Sequence, residues 1–256
     1  MHRFFVSPQA FASHPVILTG DQAHQIRRVL RLRLGERVTL MDGQGYAYEA
    51  ALIALGESDA RFQVVQRQPA PSEPRTRITL YQAVLKGDNF AWVLQKGTEA
   101  GVSRFVPIVC ERNVVDDLDA VEGKRDRWQR IIQEAAEQCG RGRLPDLAAA
   151  ELFKQAISAP SAVPSHAAEP EGKMLRLIPW EGERSLRLRD ALAGCNFAAG
   201  ARIEVFVGPE GGLTEEEVAL ARRYGVQPVT LGPRILRSET AGLVAVALIL
   251  YEAGDI

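Results

Sequence analysis

The chain has 256 residues, 46% of them hydrophobic and 25% charged, with a formal net charge of −1. This suits one large domain or two unequal ones with real cores, and excludes a globally disordered chain. The near-neutral balance excludes nucleic-acid binding through bulk charge, so any such contact must come from a local patch. In chain order, residues 4–6, 16–18, 37–41, 46–53 and 61–65 are short apolar or alternating runs, separated by turn residues such as Ser7-Pro8, Gly20-Asp21 and Glu57-Ser-Asp59. Short strands at this spacing predict a small β-barrel, interrupted by a helix over residues 21–30. Phe4 and Phe5 belong to its core. Asp42-Gly-Gln-Gly45 lies between two strands and reads as a hairpin rather than a nucleotide loop.

Residues 1–70 hold eight Arg, no Lys and six acids, and Arg27, Arg28, Arg31, Arg33 and Arg37 cluster around the single acid Glu36. The cluster is either a solvated helix end or a phosphate-contacting surface. Gln68-Pro-Ala-Pro-Ser-Glu-Pro74 carries three prolines in seven residues, which cannot continue a helix or a central strand. It reads as a linker, dividing the chain into domains of residues 1–72 and 73–256.

Beyond it, strands at 78–84, 105–109, 175–178 and 202–207 alternate with helices, which predicts an α/β domain with a mostly parallel sheet. The helices lie over 89–100 and 125–139. In the second, Trp128, Ile131, Ile132, Ala135, Ala136 and Cys139 recur at the spacing of one helical face. Residues 158–173, rich in Ala, Ser and Pro, read as a surface loop. A last helix over 242–251 is apolar nearly all round and must be covered on several sides, by the domain and by a second subunit. Its apolar run is well short of the roughly 18 residues that span a bilayer, so no membrane partner is expected. Cys110, Cys139 and Cys195 lack metal-binding spacing, and the N-terminal residues lack an apolar signal region, so a metal-free cytoplasmic protein is expected.

Ile203-Glu-Val-Phe-Val207 runs into Gly208-Pro-Glu-Gly-Gly212. Thr214 and Glu217 then form a capping box, with Leu213 and Val218 as a hydrophobic staple. Such a turn at the carboxyl end of a strand is either a plain tight turn or a loop that lets a ligand approach the backbone. It matches neither a P-loop nor a dinucleotide fingerprint, and Glu215, Glu216 and Glu217 would repel a phosphate. A cationic or zwitterionic ligand bearing an adenosine suits it better. A short strand at 229–231 leads into Gly232-Pro-Arg-Ile-Leu-Arg-Ser-Glu-Thr-Ala241. There Arg234, Arg237 and Glu239 are either a solvated turn with an Arg–Glu pair or a polar cluster able to hold RNA phosphate and polarise a base.

Together, Gly208-Pro-Glu-Gly-Gly212 and Leu231-Gly-Pro-Arg-Ile-Leu-Arg-Ser-Glu-Thr-Ala241 resemble the RsmE family, the ribosomal small-subunit RNA (uridine-N3) methyltransferases of the SPOUT class. The resemblance covers nearly the whole chain. It includes Arg3-Phe-Phe-Val6, Val29-Leu-Arg-Leu32, Lys86-Gly-Asp88, Gln95-Lys-Gly-Thr-Glu-Ala-Gly-Val102, and Glu134-Ala-Ala-Glu-Gln138 with Arg141. Leu213 stands where Phe is usual and Gly97 where Ala is usual, and residues 158–173 match nothing in particular. The resemblance implies a PUA-like β-barrel for RNA binding followed by a trefoil-knotted α/β methyltransferase domain. It also implies a homodimer joined partly through the last helix, acting on 16S ribosomal RNA or the assembled small ribosomal subunit. S-adenosylmethionine would lie among three loops: Ile178 and Pro179; Gly208, Pro209, Glu210, Gly211 and Gly212; and Leu231, Gly232, Ile235 and Leu236. Arg237 or Arg234 would stabilise a uracil oxyanion, with Glu239 or Glu210 accepting the N3 proton or orienting an arginine. Arg3, Arg27, Arg28, Arg31, Arg33, Lys86, Lys96 and Arg141 are the expected RNA contacts.

Overall fold

The computed structural model describes residues 1–70, 73–115, 117–158 and 174–256. All but the first residue of the expected 158–173 loop, and two residues of the proline-rich stretch, lie outside the described residues. The chain divides into two compact units, Met1–Glu73 with Ala136–Leu144, and Pro74–Ala135 with Pro145–Ile256.

The first unit has five strands: β1 (Arg3–Phe5), β2 (Val16–Thr19), β3 (Arg37–Met41), β4 (Tyr46–Leu55) and β5 (Asp59–Pro69), in the spatial order β1-β3-β4-β5-β2. The β1–β3 pair is parallel and the others are antiparallel. Phe4, Leu18, Val38, Leu40, Leu52 and Phe62 enter one core from alternate positions, as the period of two requires. β1 and β2 are the two ends of this order, so the expected barrel is an open half-barrel. The helix expected over 21–30 forms as α1 (Gly20–His24) and continues in a π-helical turn, Gln25–Val29, with Leu30 N–H donating to Gln25 O at 2.9 Å. β5 runs on through Pro69, which the sequence placed in the linker. Pro69 pairs with Tyr46 at the strand end, where the missing N–H costs no interior ladder bond. The Asp42 carboxylate accepts the Gln44 and Tyr46 N–H groups at 2.8 and 3.0 Å, forming the hairpin as expected.

The second unit carries β6 (Arg77–Ala83), α2 (Asn89–Ala100), β7 (Arg104–Val109), α3 (Leu118–Glu122) and α4 (Arg125–Cys139), whose last residues count with the first unit. β8 (Asp146–Leu147), β9 (Glu151–Leu152), α5 (Phe153–Ser158), β10 (Met174–Pro179) and α6 (Leu188–Leu192) follow. The chain ends with β11 (Arg202–Val207), α7 (Glu215–Arg223), β12 (Gln227–Val229) and α8 (Ser238–Glu252). The sheet is parallel throughout, in the order β12-β10-β11-β6-β7-β8, with β9 also on β7. One face packs Ile78, Leu80, Ile203, Val205 and Val207 against Phe90, Leu94, Ala245 and Ile249 of α2 and α8. The other packs Tyr81, Ile108, Ile178 and Phe206 against Phe153 of α5 and Val218 and Ala221 of α7. A buried ion pair crosses this second face: Arg176 Nε donates to Glu204 Oε2 at 2.7 Å. Its other nitrogens reach the carbonyls of Ile157 and Ala156 in α5, and of Tyr224 just past α7, at 2.9 to 3.2 Å. The guanidinium thus satisfies carbonyls that the helix ends would leave without a donor.

Candidate active site

β12, β10 and β11 are parallel neighbours, so the segments leaving their carboxyl ends converge. They wall a cleft of about 490 Å³, lined by residues 179–181 after β10, 207–213 after β11 and 230–239 after β12, with Asn89 and Ala241 from α2 and α8. Every residue expected in the three cofactor loops lines it except Ile178. Ile178 is fully buried with Tyr81, Phe206 and Val218, so its side chain belongs to the core beneath.

Local bonds fix each wall. Thr214 accepts Glu217 N–H at 3.1 Å while Glu217 accepts Thr214 N–H at 2.9 Å, completing the capping box of α7, and Glu217 also accepts Glu111 N–H at 2.9 Å. Gly212 has φ +71°, and a Cβ there would lie 2.9 Å from Glu181 Oε1. The carboxylate of Glu210 accepts Lys86 N–H at 2.9 Å, and Arg112 donates to Gly211 O at 3.1 Å. Gln82 of β6 donates to Ser238 Oγ at 3.1 Å, and that hydroxyl donates to Gly208 O, so sheet, glycine turn and helix meet at one serine. Glu183 accepts from the Ser185 hydroxyl at 2.5 Å, from the Ser185 and Leu186 N–H groups, and from Arg222 at 2.9 Å. The Ser185 hydroxyl above all, then these N–H groups, hold the Glu183 carboxyl down at about 2, and the bond from Arg222 ties the loop after β10 to α7.

The last helix starts at Ser238, four residues before the expected 242, because Thr240 and Ala241 N–H donate to Arg237 O at 2.9 and 2.8 Å. Glu239 therefore sits in the first turn of α8. Arg234 and Arg237 are exposed, Glu239 is half-buried, and none of the three enters an ion pair among the described residues. Burial, then the nearby Glu217 carboxylate, push the Cys110 thiol well above its usual range, so it stays protonated and serves as packing.

The expected RNA contacts divide. Arg28, Arg31 and Arg33 are exposed, and Arg31 takes a left-handed φ of +52° just past the π-helical turn. Arg3 is exposed and donates to Gln138 O at 3.2 Å, while Arg27 is half-buried and donates to Gly56 O at 2.8 Å. Lys86 is exposed, and Lys96 pairs with Glu99 at 2.8 Å. Arg141 is buried and clamped to Glu73 at 2.9 Å, so it braces the first unit and offers no guanidinium to a phosphate. Sequence reasoning missed Glu181, Asn89 and Ser238 in the cleft wall. Glu181 and Asn89 are signalled only by position, near the end of a strand and at the start of a helix, whereas Ser238 stands within the Leu231–Ala241 motif.

Residues 71–250 match the RNA methyltransferase domain family, and residues 18–65 match the RNA methyltransferase PUA domain. The chain is 36% identical to ribosomal RNA small subunit methyltransferase E of Synechocystis, over 97% of this chain and 77% of that one. It is 30% identical to the Bacillus subtilis protein of the same name, over 98% and 97% of the two chains. It also resembles the crystal structure of the Neisseria gonorrhoeae protein of that name bound to S-adenosyl methionine. There the TM-score is 0.83, with 32% identity over 98% of both chains.

Proposed function

The chain belongs to the ribosomal RNA small subunit methyltransferase E family, and from that premise we propose that it methylates N3 of a specific uridine in 16S ribosomal RNA, in the cytoplasm, using S-adenosylmethionine. The observation that carries this reading is the meeting of the glycine turn and the Arg234–Glu239 segment in one cleft. The cleft suits the donor. Its glycine turn leaves main chain uncovered, Pro179, Leu231 and Leu236 offer apolar contact to an adenine, and Glu181, Glu210 and Glu239 favour a cationic sulfonium. A bound S-adenosylmethionine supplies an electrophilic methyl on sulfur.

The chain's own residues do the rest. The walls hold donor and base in line, and proximity supplies most of the rate. Arg237 and Arg234 stabilise negative charge on the uracil oxygens as N3 gives up its proton. Glu239 takes that proton or orients an arginine; Glu210 is less available because it already accepts Lys86 N–H. The reacting uridine must be unpaired or flipped out. Residues 1–72 bind the RNA, with Arg3, Arg28, Arg31 and Arg33 on its phosphates. The α/β domain over 73–256 carries the trefoil knot, and the exposed Leu248 and Tyr251 of α8 form part of a homodimer contact.

Two measurements test this. Small subunits and naked 16S RNA from cells lacking the enzyme are offered as methyl acceptors, and primer extension locates the product, since N3 methylation blocks pairing. An unchanged stop pattern overturns the assigned reaction. Absence of S-adenosylmethionine binding at millimolar concentration overturns the donor.

A further inference from the structure

The first unit carries a stack of aromatic and arginine side chains that methyl transfer does not use. The rings of Phe11 and Tyr48 lie 3.9 Å apart at 21°, and the Arg67 guanidinium lies 3.8 Å above the Tyr46 ring and 5.8 Å from that of Tyr48. The register of β4 and β5 produces it. Tyr48 pairs directly with Arg67, and Tyr46 stands two residues along on the same face. That face points into the core at Ala50 and Leu52, so the stack continues the core row into solvent. Tyr46 is 38% exposed and Arg67 is exposed.

Charge separates this patch from its surroundings. Arg37 and Arg61 are neutralised by Glu49 and Asp59, whereas no carboxylate pairs with Arg67 among the described residues. A second cation adjoins it: the Arg143 Nε and a terminal nitrogen lie 3.2 Å from where a Cβ on Gly45, the residue before Tyr46, would stand. Ordering several large side chains at a surface costs conformational entropy that a merely solvated face avoids. The Tyr48 hydroxyl donates to Asp42 Oδ2 at 3.4 Å, but neither Arg67 nor Arg143 enters an ion pair among the described residues. Flat π-faces beside such guanidinium groups match one chemistry closely, an unpaired nucleobase flanked by its phosphates.

We propose that Phe11, Tyr48, Tyr46 and Arg67 form a stacking platform for an unpaired base of the RNA, with Arg67 and Arg143 taking the adjoining phosphates. The inference rests on the reading of the chain as an RNA methyltransferase. A duplex buries its base faces against one another, so the platform selects single-stranded or bulged RNA.

The full chain is titrated by fluorescence anisotropy with a short fluorescein-labelled oligouridylate, and with the same strand annealed to its complement. The wild type is expected to prefer the single strand. Tyr46→Ala is expected to weaken that binding about tenfold, within the range of one lost base–aromatic stack, and Tyr46→Phe to preserve it. Arg67→Gln is expected to weaken binding and flatten its salt dependence. Calorimetric titration with S-adenosylmethionine keeps the two readings apart. Absence of donor binding by the wild type overturns the methyltransferase premise. Normal donor binding, with oligouridylate affinity untouched by Tyr46→Ala or undetectable in the wild type, overturns the platform alone.

Discussion

Replacing Gly208 by alanine places a methyl group 2.7 Å from Leu213 Cγ, 3.2 Å from its Cδ2 and 3.3 Å from its backbone N. Unstrained carbon contacts lie at about 3.5–4.0 Å, so the turn must open by roughly 1 Å. Leu213 cannot swing aside, because it is buried in the core with Cys110, Phe206 and Val218. Overpacking of this kind costs about 1–3 kcal/mol, which for a chain of this size lowers Tm by roughly 5 °C. Opening the turn also loosens the Ser238 hydroxyl from Gly208 O, so the glycine wall and the first turn of α8 shift together. The expected result is a folded protein with S-adenosylmethionine affinity reduced about tenfold, ~1.4 kcal/mol, read by calorimetric titration beside a thermal melt. Leu213→Ala removes the two side-chain atoms that the new methyl strikes, which are the nearest ones. In the Gly208→Ala/Leu213→Ala double variant, donor affinity should therefore recover to that of Leu213→Ala alone. Wild-type donor affinity in Gly208→Ala, or strict additivity in the double variant, would refute the argument that this turn must stay closed to hold the donor.

Arg237→Ala should keep S-adenosylmethionine affinity but slow single-turnover methyl transfer about 10²–10³-fold, the effect of one lost oxyanion donor, and full turnover would remove Arg237 from the chemistry. Glu204→Gln leaves the buried Arg176 uncompensated, so stability to urea should drop about 3–5 kcal/mol; a change under about 1 kcal/mol would mean that the pair is hydrated. For Glu183 the folded value of about 2 lies below the ordinary 4.5. Its stabilisation is therefore complete above pH 4.5 and lost as pH falls toward 2. Glu183→Gln should flatten the stability–pH curve in that window alone, and an unchanged acid slope would show that the Ser185 and Leu186 bonds to this carboxylate carry no weight. Arg31→Gly relieves a left-handed φ of +52° and should raise stability by up to about 1 kcal/mol while weakening RNA binding. A loss of stability would mean that the Arg31 side chain makes compensating contacts.

Where local signals agree, the sequence specifies the elements closely. Thr214 and Glu217 mark the start of α7 to the residue, and the apolar stripe from Trp128 to Cys139 gives α4 its full length. Elements of two to six residues, such as α3, α6, β8 and β9, show no period because they span at most two turns or two pairings. The start of α8 is hidden in the sequence because Arg237, Ser238 and Glu239 look like loop residues, and only the main-chain bonds to Arg237 O show the first turn. Pro69 reads as linker in the sequence because proline interrupts a ladder, a rule that does not hold at the last pair of a strand. The extra contribution of Ala136–Leu144 to the first unit has no local signature, since the clamp of Arg141 on Glu73 joins residues 68 positions apart.

The cleft is legible in a different way. Successive walls are separated by a helix and a strand, α6 and β11 and then α7 and β12, and nothing within any one of them says that they meet. What brings them together is the strand order: β10 between β11 and β12, all parallel, leaves three carboxyl-end loops side by side. A sequence that alternates strands and helices implies such a sheet without fixing its order, so the glycine turn alone remained open between a plain turn and a ligand loop. Adjacency resolves the polar residues too. Among the described residues, Arg234, Arg237 and Glu239 enter no ion pair, while the nearby carboxylates are shared out differently: Glu210 to Lys86 N–H and Glu183 to Arg222. Other arginines are taken up: Arg37 of the cluster around Glu36, Arg61 among the eight of residues 1–70, and Arg141 among the expected RNA contacts each close on a carboxylate. A count of arginines therefore overstates the RNA surface, and the guanidinium groups without a carboxylate partner among the described residues, Arg67 among them, are the ones that mutagenesis should address first.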